Sequence, residues 1–138
     1  MQIDQIDTGI VLDHITAGRG MEIYRHLDLD ALDCTVAIIR NVKSARLGLK
    51  DIIKIGTDLP LDLDILGYID AQVTVNIIRD GVLVEKRPLV LPERIVNVGV
   101  CRNPRCITSV EPELDQVFVL TDPVRGTYSC LYCEQAKT

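Results

Sequence analysis

The chain has 138 residues, of which 47% are hydrophobic and 4% aromatic, with no tryptophan and a formal net charge of −5. No apolar run reaches the length of about 18 residues that a membrane-spanning helix requires, and an acidic chain without a block of Lys/Arg disfavours general binding to nucleic-acid phosphates. Because aromatic residues are scarce, we expect a core of Ile, Leu and Val, which suits a sheet-rich fold.

The chain begins with a strand signal and a helix signal. The segment DTGIVLDHIT, residues 7–16, is apolar and rich in β-branched residues, which predicts a first strand. The segment MEIYRHLDL follows Gly20 and places Met21, Tyr24 and Leu27 three residues apart. This spacing predicts a short amphipathic helix.

Three further elements follow. CTVAIIR at residues 34–40 predicts a second strand, NVKSARLG at residues 41–48 a loop, and LKDIIKIG at residues 49–56 a third strand. Thr57 and Asp58 are possible caps, and Pro60 suits the first position of a second helix that runs to about Tyr68.

Two strands joined by a tight turn complete the larger part of the chain. AQVTVNIIR, residues 71–79, alternates apolar and polar positions, and Asp80-Gly81 predicts a hairpin turn before VLVEKR returns antiparallel. The resulting order matches the ferredoxin-like split βαβ plan with one extra strand. Two helices then cover one face of an antiparallel sheet, and the apolar second face needs another cover, such as a second copy or a ligand.

Prolines predict a boundary after this sheet. Pro88, Pro92 and the LPER stretch interrupt the pattern, which divides the chain into domains of residues 1–91 and 92–138. A segment of about 40 residues is near the size at which a core needs a metal or disulfide staple. We therefore expect an α+β protein with an N-terminal ferredoxin-like sheet carrying two helices and a small C-terminal β domain of zinc-ribbon type.

Four cysteines form a C-x4-C pair and a C-x2-C pair separated by 23 residues. They are Cys101, Cys106, Cys130 and Cys133. Each pair lies beside a turn-prone or polar stretch, so a folded hairpin can bring four thiolates to one point, as in a tetrahedral zinc site. Because four sulfurs fill every coordination position, we predict one structural Zn²⁺ per chain rather than a catalytic metal.

Two other uses of these cysteines compete with a metal site. Disulfides are typical of secreted proteins, but the N-terminal MQIDQIDTG has neither the basic start nor the apolar run of a signal peptide. A C-x2-C pair also occurs in redox centres, although this interpretation leaves the second pair unexplained. Cys34, within LDCTVAIIR, is interpreted as a buried small hydrophobe.

Polar residues interrupt strands that are otherwise apolar, which is costly unless they are paired or lie at a margin. They are His14, Lys54, Asn76 and Lys86, with Asp13 beside His14. Lysines and a histidine suit phosphates, a carboxylate suits ribose hydroxyls and an amide suits a base edge, so the set favours a nucleotide. Each residue alone is more often a strand side chain that reaches solvent, and neighbours such as Asp13 and His14 are expected on opposite faces.

The chain also resembles a known family. LPERIVNVGVCRNPRC, followed by C-x2-C, resembles the zinc domain of the aspartate carbamoyltransferase regulatory chain family. The upstream strings GIVLDHI, GLKDIIKIG, QVTVN and VEKRPLVLPER fall in that family's order, so the resemblance extends from about residue 5 to Cys133. It implies a non-catalytic subunit, which agrees with only two histidines and no G-x-S-x-G or P-loop pattern.

The resemblance also implies the partners and the ligand residues. An N-terminal domain that binds CTP, for feedback inhibition, or ATP, for activation, is expected to regulate catalytic chains in cytoplasmic de novo pyrimidine biosynthesis. Regulatory chains of this family pair as homodimers and join catalytic trimers in a complex of six plus six. By position, the implied nucleotide-binding residues are Ile6, Val11, Asp13, His14, Lys54, Asn76 and Lys86.

Two further classes of protein remain as alternatives. A zinc-ribbon protein that binds nucleic acid would need a basic face, and Arg94, Arg102, Arg105 and Arg125 provide positive charge near the cysteines. The same arginines suit acidic residues of a catalytic partner. A nucleotide sensor of ferredoxin-like fold with a different partner is the third possibility.

Overall fold

The structure is a computed structural model, and it describes residues 8–57, 62–87, 89 and 91–137. The chain divides into two compact units, residues 1–89 and 90–138. Each unit has its own sheet, so the two are described separately. Among the described residues, no helix is both long and apolar enough to cross a lipid bilayer.

The first unit is a five-stranded sheet with two short helices. Its elements are β1 (Gly9–Thr16), α1 (Gly20–His26), β2 (Val36–Ser44), β3 (Gly48–Ile55), α2 (Leu63–Ile69), β4 (Thr74–Arg79) and β5 (Val82–Arg87). A 3₁₀ turn at Leu29–Ala31 follows α1. The strands lie in the order β2-β3-β1-β4-β5, and every neighbouring pair is antiparallel. The first four strands have the ferredoxin-like order, with β5 added at one edge, which confirms the predicted α+β architecture.

One face of this sheet forms the core of the unit. Ile10 and Leu12 of β1 are buried opposite Ile55 and Ile53 of β3, and Leu12 also pairs with buried Val75 of β4. Each helix contributes a fully buried aliphatic side chain to the unit. Burial of one such side chain stabilises the fold by about 1.5–3 kcal/mol, so this layer supplies most of the driving force.

A buried carboxylate joins α1 to the sheet. Asp51 of β3 is completely buried, and its Oδ2 accepts hydrogen bonds of 3.1 Å from the backbone N–H groups of Gly18 and Gly20. Its Oδ1 accepts a third bond, also 3.1 Å, from the N–H of Asn41. A Cβ at Gly20 would lie 2.9 Å from Asp51 Oδ2, so glycine is required where α1 begins.

The segment predicted as a loop at residues 41–48 is largely strand. β2 continues to Ser44 because a bulge with Asn41 at φ 58° admits the polar residues into the strand pair. The register shifts between Ile39 and Val42, and pairing with β3 then resumes. Cys34 precedes β2 and is half-buried, so its interpretation as a buried hydrophobe was wrong.

The second helix begins later than predicted. Asp62 is its N-cap, with Oδ1 accepting hydrogen bonds from the N–H groups of Asp64 and Ile65 at 3.1 and 3.3 Å, so α2 starts at Leu63. Pro60, the predicted first position, lies outside the described residues. The predicted hairpin turn is confirmed, since Asp80 and Gly81 have φ values of 51° and 76°, as a type I′ turn requires.

The second unit is a three-stranded sheet with one helical turn. Its elements are β6 (Arg94–Val96), α3 (Ile107–Val110), β7 (Val117–Asp122) and β8 (Thr127–Cys130), with antiparallel strand order β6-β7-β8. Ile95, Phe118 and Tyr128 are buried within it. The Tyr128 hydroxyl donates a 2.7 Å hydrogen bond to the carbonyl of Pro92. This core is small for a self-supporting domain.

Candidate metal centre and ligand-binding face

The four paired cysteines meet at one end of the small sheet. Cys101 and Cys106 lie between β6 and α3, whereas Cys130 ends β8 and Cys133 follows it. All four Sγ atoms lie within 4.8 Å of one another. The pairs Cys101–Cys133 and Cys106–Cys130 have Sγ–Sγ distances of 3.6 and 3.7 Å, and the thiols are free. A Zn–S bond of about 2.3 Å places sulfurs about 3.8 Å apart in a tetrahedron, so the four side chains fit a metal of this kind.

Local turns present both cysteine pairs. In CRNPRC, Asn103 accepts two hydrogen bonds of 3.0 Å: its carbonyl accepts from the N–H of Cys106, and its side-chain Oδ1 accepts from the N–H of Arg105. These bonds fold the four-residue spacer back. After β8, the N–H of Glu134 donates to the carbonyl of Cys130 at 2.9 Å. The side chain of Asn103 therefore folds the first spacer back, and a main-chain hydrogen bond folds the second one.

The four thiols differ in their surroundings. Hydrogen bonds from Thr108 lower the pKa of Cys106. Burial raises the pKa of Cys101 to about 12, whereas the backbone N–H of Gln135 lowers the pKa of Cys133 to about 7. The lowered pKa values of Cys133 and Cys106 favour the thiolate, which is the form of cysteine that binds a metal.

The polar residues singled out from the sequence lie in one row across the first sheet. Lys54 of β3 pairs with Val11 of β1, Val11 pairs with Asn76 of β4, and Asn76 pairs with Lys86 of β5. Residues directly opposite each other point to the same face, which here is the face opposite the Ile10 side. Three strand spacings separate the two lysines, a distance of about 14 Å along the backbone row.

A bulge places Asp13 and His14 beside this row. The register of β1 against β3 shifts between Leu12 and Ile15, and His14 has a φ of 58°. Strict alternation of faces was therefore the wrong expectation for this pair, because the bulge inserts an extra residue. Both side chains are half-buried.

Neighbouring strands hold these two side chains in place. Asp13 Oδ1 lies 2.9 Å from Lys50 Nζ and accepts a 2.6 Å hydrogen bond from the N–H of His14. Burial alone would raise the pKa of Asp13, but Lys50 and the His14 amide outweigh it, and the pKa lies below its ordinary value. Nδ1 of His14 lies 3.0 Å from Thr74 Oγ1 on β4, which holds the ring beside the row.

One atom of the row lacks a partner within the described part of the chain. Oδ1 of Asn76 is buried, and no donor among the described residues reaches it. A buried acceptor without a hydrogen bond costs about 1–3 kcal/mol, so a ligand with an N–H group would be favoured there. Ile6, the remaining predicted contact, lies outside the described residues.

Comparison with known families matches both units. Residues 1–90 match the family described as aspartate carbamoyltransferase regulatory chain, allosteric domain, and residues 93–138 match its metal binding domain. The chain belongs to the aspartate carbamoyltransferase regulatory chain family. It is thus a regulatory, non-catalytic chain, as the resemblance implied.

Curated relatives agree with this family over nearly the whole chain. A regulatory chain of Clostridium botulinum (strain Hall) is 44% identical over 135 residues, which cover 98% of this chain and 92% of the relative. The regulatory chain of Bifidobacterium longum is 43% identical over 135 residues, covering 98% and 97%. That of Clostridium tetani is 44% identical over 136 residues, covering 98% and 94%.

Four residues of this regulatory chain were not singled out from the sequence. Lys50 and Thr74 contact Asp13 and His14, and Thr108 and Gln116 contact the cysteine segment. Lys50 carried a usable signal, because it lies four positions before Lys54 and even spacing puts both on one face of a strand. Thr108 lies only two positions after Cys106, so its contact with that sulfur is local. Thr74 and Gln116 become visible only when strands and turns are paired in space.

Proposed function

We propose that this regulatory chain binds CTP and ATP on the exposed face of its N-terminal sheet. Binding there controls the catalytic chains of aspartate carbamoyltransferase. The row from Lys54 to Lys86 carries the proposal, because it places two cations and an unpaired amide acceptor along one surface. A nucleoside triphosphate offers the complementary anions and hydrogen-bond donors.

The residues divide between the parts of the nucleotide. Lys86 and His14 bind the triphosphate, and the ribose hydroxyls donate to Asp13. Lys54 reaches the base and ribose from the other side of Val11, which contributes an apolar wall. The buried Oδ1 of Asn76 accepts from the base. Ile6 is proposed as a further nucleotide-binding residue.

Lys50 belongs to the same site by its charge and position. Its Nζ is 2.9 Å from Asp13 Oδ1, so it fixes the carboxylate that faces the ribose and adds a third cation to the surface. Three lysines around the nucleotide account for binding by an acidic chain, since the local charge of the site is positive although the net charge of the chain is −5.

Regulation requires that each nucleotide binds the two states of the assembly with different affinity. We propose that CTP favours the less active arrangement and thus gives feedback inhibition in de novo pyrimidine biosynthesis. ATP competes for the same site and favours the more active arrangement. In this proposal, the domain of residues 1–91 binds the nucleotide and the domain of residues 92–138 contacts the catalytic chain.

The metal of the second domain is proposed to be one structural Zn²⁺. Four sulfurs at the observed spacing suit zinc and leave no coordination position for a substrate. When bound, the ion would cross-link the segment before α3 to the end of β8 and the residues that follow it. Free thiols of this kind persist in a reducing compartment, which supports a cytoplasmic location.

The catalytic chain is proposed to dock on the zinc domain. This unit exposes apolar side chains that its small core does not cover. An exposed apolar surface of this kind marks a protein interface. They are Val96, Val100, Ile107, Val110, Leu131 and Tyr132. Homodimers that pair through their N-terminal domains would then join catalytic trimers into a six-plus-six complex.

The charge of the second unit argues against a nucleic-acid role. Residues 90–138 contain five Lys/Arg and six Asp/Glu, so the four arginines near the cysteines do not create a basic domain. Exposed arginines beside apolar side chains suit a rim that pairs with carboxylates of a protein partner.

A CTP titration combined with a metal assay tests the proposal. Lys86→Ala should weaken CTP binding about 10- to 100-fold, the effect of one lost hydrogen bond to a charged group. The zinc content should remain one ion per chain, because Lys86 lies in the other unit. Lys43→Ala on β2, an exposed lysine outside the row, is the matched control and should bind CTP like wild type.

The same titration with ATP present tests whether the two nucleotides share the site. ATP should raise the apparent Kd for CTP in proportion to its concentration. Unchanged CTP binding in Lys86→Ala would refute the site assignment, and simultaneous binding of both nucleotides to one chain would refute competition.

A further inference from the structure

We propose that Thr108 and Gln116 form an outer shell that holds the cysteine cage and sets how long its metal stays bound. Neither side chain is a ligand. One supports a sulfur and the other supports the backbone of a ligand, and they act on the two cysteines of the same C-x4-C pair. The inference rests on the proposed occupancy of the cage by zinc.

Thr108 acts on a sulfur directly. Its hydroxyl donates a hydrogen bond of 3.2 Å to Cys106 Sγ, and the side chain is 5% exposed. The Cys106 side chain beside it is 1% exposed, so water does not supply this contact from outside. A hydroxyl that donates to a thiolate disperses its negative charge, which matters because four thiolates around one dication leave a net charge of −2.

Gln116 acts through the main chain. Gln116 lies just before β7, and its Oε1 accepts a 3.0 Å hydrogen bond from the N–H of Cys101. This bond fixes the backbone position of Cys101 beside the other cysteines. Asn97 holds Gln116 in turn, because Asn97 Oδ1 accepts from the Gln116 N–H at 2.9 Å and the Asn97 N–H donates to the Gln116 carbonyl at 2.7 Å. The first cysteine is thereby tied to the β6–β7 pair.

These two contacts fall where the cage needs support. Cys101 and Cys106 belong to a segment without strand pairing, whereas Cys130 is held within β8 by the sheet. Loss of either contact frees one ligand of the unpaired segment to move from the metal. Substitution of an outer-shell residue lowers metal affinity by about 10- to 100-fold, mainly because the ligands are less well positioned.

Transfer of zinc from the full chain to a chromophoric chelator measures the effect. Thr108→Val keeps the shape and removes the hydroxyl, so the transfer rate should rise about 10- to 100-fold. Thr108→Ser keeps the hydroxyl and should transfer zinc at nearly the wild-type rate. Thr121→Val is the matched control, since the Thr121 hydroxyl donates to the carbonyl of Thr127 and not to a sulfur.

The glutamine is tested in the same assay. Gln116→Leu removes the acceptor for the Cys101 N–H and should also accelerate transfer, whereas Gln135→Leu should not, because Gln135 reaches the cage through its main chain. Rates for Thr108→Val and Gln116→Leu at the level of their controls would overturn the proposal. Equal acceleration by Thr108→Ser and Thr108→Val would also overturn it, since the hydroxyl would then have no role.

Cobalt substitution gives a readout that does not depend on stability. In Co²⁺-loaded chains the hydroxyl bond to Cys106 lowers the energy of the sulfur electrons. The sulfur-to-cobalt charge-transfer band should therefore move to lower energy in Thr108→Val and stay in place in Gln116→Leu. An unmoved band in Thr108→Val would refute the contact with sulfur. A wild-type chain that takes up neither metal would instead refute the proposed zinc site.

Discussion

Asp13 shows how single side chains are oriented on the proposed nucleotide-binding face. Its Oδ1 is shared between Lys50 Nζ and the His14 N–H, and the bulge at His14 makes that sharing possible. The carboxylate is therefore oriented before any ligand arrives. Preorganisation of this kind reduces the ordering cost of binding.

The ion pair also makes stability depend on pH. Folding lowers the pKa of Asp13 from its ordinary value of 3.8. The stability that the ionised carboxylate adds is therefore fully present above pH 3.8 and is lost as the pH falls through the lower pKa of the folded state. In urea unfolding, Lys50→Met should cost about 0.2–1 kcal/mol at pH 6 and less at pH 3. Lys43→Met should show little difference at either pH, and a constant cost for Lys50→Met would contradict the assignment.

At the scale of elements, short helices depend on their ends. α2 has only seven residues, and Asp62 satisfies two of the N–H groups that its first turn leaves open. A helix of this length does not persist on propensity alone, so the cap and the buried side of α2 together keep it in place.

Substitution of that cap should have a measurable cost. Asp62→Ala should lower the free energy of unfolding of the first unit by about 0.5–2 kcal/mol, because two N–H groups lose their acceptor. Asp62→Asn keeps a side-chain oxygen and should lose much less. Thermal denaturation followed by circular dichroism would check both, and an equal loss in the two variants would assign the effect to charge.

Two bulges shape the part of the sheet where the nucleotide site is proposed. Those in β1 and β2 flank the same part of β3, one at His14 and one at Asn41, and buried Asp51 accepts from Asn41 there. The pairing of three strands must be known before either bulge is visible. The predicted loop at residues 41–48 missed the second one for this reason.

At the scale of the whole molecule, the two units are stabilised differently. The first has a layer of buried Ile, Leu and Val side chains, whereas the second has few buried side chains apart from Ile95, Phe118, Tyr128 and three of its four cysteines. A core of that size is insufficient without a staple, so metal binding and folding should be coupled in the second unit.

Metal removal should therefore unfold one unit and spare the other. After chelation or treatment with a mercurial, amides of β6, β7 and β8 should exchange hydrogen rapidly while those of β1 to β4 remain protected. CTP affinity should change little. In the proposed assembly, catalytic trimers should be released with activity but without nucleotide control. Persistent protection of β7 and β8 without metal would refute the structural role of the cage.

The sequence alone determined the features that depend on local chemistry. The spacing of four cysteines identified the cage, Asp80-Gly81 identified the hairpin, and the alternation of aliphatic and polar residues identified most strands, because turn preference, ligand type and periodicity act over a few neighbouring residues. It also placed Lys54, Asn76 and Lys86 as unusual polar residues within those strands.

Only the tertiary structure decided which distant residues share a surface. Cross-strand register aligned Lys54, Val11, Asn76 and Lys86, and the packing of β4 and β3 beside β1 brought Thr74 and Lys50 to the bulge. The contact of Gln116 with Cys101 likewise depends on how the cysteine segment folds back towards β7. Register and close packing arise from the whole chain at once, so no local pattern contains them.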